Sequence, residues 1–87
     1  MYRVIRASQE IDFSDCEISF EKSCNRIIKK YLRLGYEFDE LSVPNILDSF
    51  EEYELPRRSR KFDYWYTKNR DKVKQIAEKS LNLSERS

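Results

Sequence analysis

The chain has no histidine, one glycine, two prolines and two cysteines among its 87 residues. Without histidine it lacks the usual general base near neutral pH, the common nucleophilic triads and most transition-metal sites. One glycine cannot build a phosphate-cradling Gly-rich loop. Cys16 and Cys24 lack CxxC spacing, so zinc is not expected. Placed eight residues apart on one helix, they would lie about 12 Å from each other, too far for a disulfide. Adjacent carboxylates such as Glu51 and Glu52 fall on a solvated face where nothing would raise a pKa for acid or base work. No enzymatic role, metal or cofactor is therefore expected. A long hydrophobic run and a secretory signal are also lacking, which points to a reduced, cytoplasmic protein without a membrane partner.

What is present is enough for one small domain over residues 1–87. Hydrophobic residues make up 39%, aromatics 14% and charged residues 38%, with no low-complexity run, so a packed core is within reach. Net charge is +1 but unevenly spread: residues 1–56 carry seven Lys/Arg against twelve Asp/Glu, and residues 57–87 carry ten against four. Such a molecule is dipolar, with one basic face.

Periodicity predicts a mainly α domain of three helices. Cys16, Phe20, Cys24, Ile27, Ile28, Tyr31 and Leu34 recur at three and four, giving a helix over 15–34 that ends at Gly35. Ser14 with Glu17 reads as its capping box and Phe13 with Ile18 as a hydrophobic staple. Its outer side gathers Lys22, Arg26, Lys29 and Arg33 on one strip. Ser42-Val43-Pro44 starts a second helix over 43–53, with Val43, Ile46, Leu47, Phe50 and Tyr53 inward. Pro56 ends it and opens a third helix over 57–80, whose inner stripe is Phe62, Tyr66, Val73, Ile76, Ala77 and Ser80 with Asn69 on the same face. Residues 1–13 form an arm or short strand, Tyr2 to Arg6 being the candidate β element. Residues 81–87 form a polar tail expected to fray. The expected core is Phe20, Cys24, Ile27, Ile28, Tyr31, Leu34, Ile46, Leu47, Phe50, Phe62, Tyr66, Val73 and Ile76.

The third helix concentrates the functional signal. Arg57, Lys61, Lys68, Lys72 and Lys79 share one side of it, edged by Tyr64 and Trp65, and form a basic rail that suits a phosphate backbone. Trp65 also suits a partly buried core position. The second and third helices resemble, in outline, a helix-turn-helix. That comparison puts Arg57, Arg58, Arg60 and Lys61 at a DNA groove and lets Tyr64, Lys68 and Lys72 track phosphates. Four cations at a helix start oppose its dipole, so Glu51, Glu52 and Glu54 or a bound polyanion must compensate. The expectation is a small non-enzymatic regulator that binds nucleic acid, DNA favoured over RNA.

An alternative follows from the seven acids between residues 37 and 54, which no base interrupts. They could imitate a nucleic-acid backbone and occupy the cationic groove of a nucleic-acid-processing protein, although pairing with the chain's own basic helix competes with that role. In composition, a small Tyr-rich, charge-segregated chain is similar to inhibitors and accessory proteins of phages and mobile elements. A homodimer through Tyr36, Tyr64 and Trp65 is a third arrangement.

Overall fold

The computed structural model describes residues 12–86, and every regular element among them is helical. Four α-helices follow in order, α1 (Ser14–Arg33), α2 (Val43–Tyr53), α3 (Arg60–Lys68) and α4 (Arg70–Arg86), with 3-10 turns at Phe38–Glu40 and Leu55–Arg57. The expected strand near Tyr2 lies outside the described residues.

The start of α1 differs from the expected capping box. Asp12 Oδ1 accepts the Ser14 backbone N–H at 3.0 Å and its hydroxyl at 2.7 Å, so a carboxylate two residues upstream satisfies a free donor of the first turn. That contact, led by the backbone hydrogen bond, holds the Asp12 carboxyl below its ordinary range. The staple is also absent: Ile18 is exposed, and Phe13 stacks instead on Tyr64 at 6.2 Å. The end of α1 is where the glycine predicts it. Gly35 has φ 105°, a region that favours glycine. Its N–H reaches the Leu32 carbonyl and the Tyr36 N–H reaches the Tyr31 carbonyl, both at 3.1 Å. This is the Schellman pattern, and the Tyr31 and Tyr36 rings supply its apolar contact at 5.2 Å.

Ser42 caps α2 through its hydroxyl, which accepts the Asn45 N–H. Pro56, lacking an N–H, then turns the chain through the 3-10 turn. Ser59 caps α3 by accepting the Phe62 N–H at 3.2 Å. The continuous third helix expected over 57–80 is thus corrected twice, since it begins three residues later and breaks at Asn69 (φ −124°, ψ 48°). Between Tyr66 and Val73 the inner stripe offers only Asn69. The Asn69 side chain stays partly buried at the break and donates to the Trp65 carbonyl at 2.9 Å.

Breaking the helix frees α3 to turn Trp65 fully inward. Phe20 of α1 meets Phe50 of α2 edge-on at 4.9 Å, and also meets Trp65 and Tyr66 of α3. Phe62 closes the cluster against Phe50 and Trp65. Edge-to-face aromatic pairs add about 0.5–1.5 kcal/mol each beyond area burial, so this knot fixes how the first three helices cross. The fourth helix lies along α1 and α2, with the small or slim side chains of Val73, Ala77 and Ser80 buried at the contact.

Most of the expected core is buried, with informative exceptions. Tyr31 and Ile76 are only partly buried, and Leu34, 65% exposed, lies past the last turn of the stripe. Leu41 is buried where the chain leaves the first 3-10 turn, a position no helical period reveals. Helix α4 runs to Arg86, through residues whose polar composition suggested a loose tail, and Leu81 packs against the core. Among the described residues no helix is long and apolar enough to cross a membrane.

Candidate nucleic-acid interface

The expected rail is not assembled. Arg57 belongs to the 3-10 turn, so only Arg60 and Lys61 occupy the start of α3 and the expected crowding of four cations on a helix dipole does not arise. Beyond Asn69 the helix restarts, although Lys68 and Lys72 still line one cleft across the break.

Arg58 turns inward. Its Nη1 donates to Ser19 Oγ at 2.8 Å, and its Nη2 donates to Ser23 Oγ at 2.6 Å and to Glu54 Oε1 at 2.9 Å. The guanidinium carbon lies 5.6 Å from the Phe50 ring and 5.2 Å from Phe62. Arg26 joins the same carboxylate at 2.7 Å. Partial burial pushes the Glu54 carboxyl up, but hydrogen bonds involving Arg26, Ser23 and Arg58 more than offset this and leave it below its ordinary value. These groups form a polar clasp that holds α1 to the turn after α2, and Arg58 is a structural residue within it.

Other predicted contacts are also spent inside the protein. Lys61 pairs with Asp15 at 3.3 Å and Lys72 with Glu17 at 3.2 Å. Arg70 pairs with Glu51 at 3.3 Å, whose carboxylate also accepts the Tyr66 hydroxyl at 2.7 Å. Exposed pairs of this kind hold by only about 0–1 kcal/mol, but each puts a carboxylate where a phosphate would approach. Trp65, 2% exposed, cannot stack on a base. Tyr64 is exposed, with Phe13 beside it and the Lys68 ammonium 5.9 Å from its ring centre. Of the eight residues expected at the interface, only Arg57, Arg60, Tyr64 and Lys68 remain exposed without a carboxylate partner among the described residues.

Unpaired positive charge collects instead on the outer strip of α1. Two adjoining clefts of about 510 and 310 Å³ share Arg26, Lys30, Tyr53 and Glu54. Arg57 and Arg58 complete the wall of one, and Lys29 and Arg33 that of the other. Six cations thus face a single carboxylate, Glu54, which two arginines already neutralise. Lys29, Lys30, Arg33 and Arg57 have no carboxylate partner among the described residues. Lys30 and Arg33 lie in the last turn of α1, where the helix dipole favours cations; Arg57 reaches them only through the fold. Tyr53, expected inward, is 59% exposed at the end of α2, with the Lys30 ammonium 5.4 Å from its ring centre. The strip of Lys22, Arg26, Lys29 and Arg33 was legible as a basic concentration, whereas the presence of Arg57 and Tyr53 beside it was not.

The helix-turn-helix outline survives in the succession of α2, the 3-10 turn and α3. The side chains that would enter a groove in that outline are partly committed, Arg58 to the clasp and Lys61 to Asp15. No protein-family model matches the chain, nor does any curated protein or solved structure.

Proposed function

We propose that the protein is a small non-enzymatic regulator that binds nucleic acid, DNA before RNA, and that it does so through the outer strip of α1 together with Arg57. The carrying observation is that four cations, Lys29, Lys30, Arg33 and Arg57, line adjoining clefts without a carboxylate partner among the described residues, set against a basic helix whose Lys61, Arg70 and Lys72 already face acids. Phosphates entering the clefts would shed their condensed counterions to the protein's cations without first breaking an internal pair.

In the reading in which the acidic segment imitates a polyanion, Glu51 and Glu54, two of its seven acids, are already held by Arg70, Arg26 and Arg58. Charge reversal separates these alternatives. Lys29→Glu with Lys30→Glu and Arg33→Glu should abolish retention on a nucleic-acid column while the circular-dichroism melt stays within a few degrees. Lys61→Glu with Lys68→Glu and Lys72→Glu should leave most retention intact. Loss confined to the second variant would return the interface to α3 and α4, and no retention of the wild type at low salt would remove the nucleic-acid reading.

A further inference from the structure

Resting on that reading, we infer that the α1 clefts take a single strand in preference to a duplex, with Tyr53 as the ring on which a base stacks. The surface is an open depression between the second half of α1 and the turn after α2. Reading a duplex needs an element that projects into a groove about 12 Å wide, and here the cations line walls. A flexible strand can enter such a cleft and turn its bases aside.

Tyr53 is the exposed ring of these clefts and lines both of them. The other exposed tyrosines among the described residues have ring partners: Tyr36 packs on Tyr31 and Tyr64 on Phe13. The only ring contact of Tyr53 among the described residues is the Lys30 ammonium, which fixes the ring beside the charge that would hold the adjoining phosphate. A cationic track beside an aromatic face is the arrangement that binds single strands without demanding a sequence, because every base offers a π-face.

The track is short. Arg26 to Arg33 spans about 10 Å along the helix axis, room for only about two phosphates of a strand extended with its bases unstacked. For two contacts on a single strand the log-log salt slope should be about −1.4.

The test is fluorescence anisotropy with a labelled oligodeoxythymidylate of about twelve nucleotides and with its duplex, for wild type, Tyr53→Phe, Tyr53→Ala and Tyr64→Ala. The single strand should bind at least about tenfold more tightly than the duplex. Tyr53→Ala should weaken it by about 5- to 150-fold, whereas Tyr53→Phe and Tyr64→Ala should bind nearly as wild type. Equal binding of strand and duplex, or an unaffected Tyr53→Ala, would overturn the inference while the charge-reversal result on α1 left nucleic-acid binding standing. Failure of wild type to bind either probe at low salt would overturn both.

Discussion

Replacing Arg58 by methionine separates a structural arginine from a ligand-binding one. Methionine keeps an unbranched stem near Phe50 and Phe62 but removes the donors that reach Ser19, Ser23 and Glu54 at 2.6–2.9 Å. A hydrogen bond to a charged group contributes about 1.5–3 kcal/mol. The full sum does not apply: the side chains of Arg58 and Glu54 remain 24% and 22% exposed, Arg26 still holds Glu54, and water reaches part of what is vacated. A net loss of about 2–3 kcal/mol follows, below the cost of breaking a fully buried pair. For a domain of this size that lowers Tm by about 10–20 °C. With a urea m value of about 1.5 kcal/mol/M it moves the midpoint down by about 1.5 M. Arg58→Lys should recover less than half, since an ammonium lacks the planar fork that spans several acceptors. Urea unfolding followed by circular dichroism reads both variants. An unchanged midpoint, or lost nucleic-acid retention at unchanged stability, would refute the clasp and put Arg58 back on the binding surface.

Three further outcomes test the packing. Because the folded Glu54 carboxyl lies below its unfolded value of 4.5, its stabilisation is complete at neutral pH and is lost as pH falls through the folded value; the stability gap between wild type and Glu54→Gln should shrink from about pH 4.5 downward, and a gap that widened in acid would contradict the ion pairs. The Ser80 hydroxyl is buried without a hydrogen-bond partner among the described residues, so Ser80→Ala should leave Tm unchanged or raise it by a few degrees; a loss above about 1 kcal/mol would reveal an unseen partner. Burial first, then Glu54 and Glu21, pushes the Cys24 thiol up to about 12, and Cys16 is buried too. Neither thiol should react with an aromatic disulfide reagent within minutes in native buffer, while both should react in denaturant, and rapid labelling of the native protein would place them outside the core.

Much of the fold is written locally. The three-and-four spacing of Phe20, Cys24, Ile27 and Ile28 marks the buried face of α1, and a lone glycine after a basic last turn marks its end. Trp65 and Asn69 show where such reading stops. On a straight helix Trp65 sits at the border of the apolar stripe and Asn69 within it, and nothing in the period says that the helix will break at Asn69 and bury Trp65. That outcome depends on the space beside Phe20 and Phe62, which three separate segments define. Asp12 likewise displaced Ser14 as the capping group because a carboxylate two residues upstream had the reach.

For the candidate site the division is sharper. Which cations exist, and on which side of its helix each one falls, follows from residue order and the 3.6-residue turn. Which of them keep their charge available depends on acids and hydroxyls brought close through space: Arg58 finds Ser19 and Ser23 from 39 and 35 residues away, and Lys61 finds Asp15 from 46. The i,i+4 pair of Arg58 with Glu54 is legible in residue order, whereas these long-range pairings are set by distance across the fold. The order of residues alone therefore determined an α-helical domain with a basic outer strip on its first helix. Only the tertiary structure decided that Lys29, Lys30 and Arg33 of this strip, joined by Arg57 and Tyr53, would remain without an acid partner among the described residues while Arg58, Lys61, Arg70 and Lys72 of the basic last segment each found one.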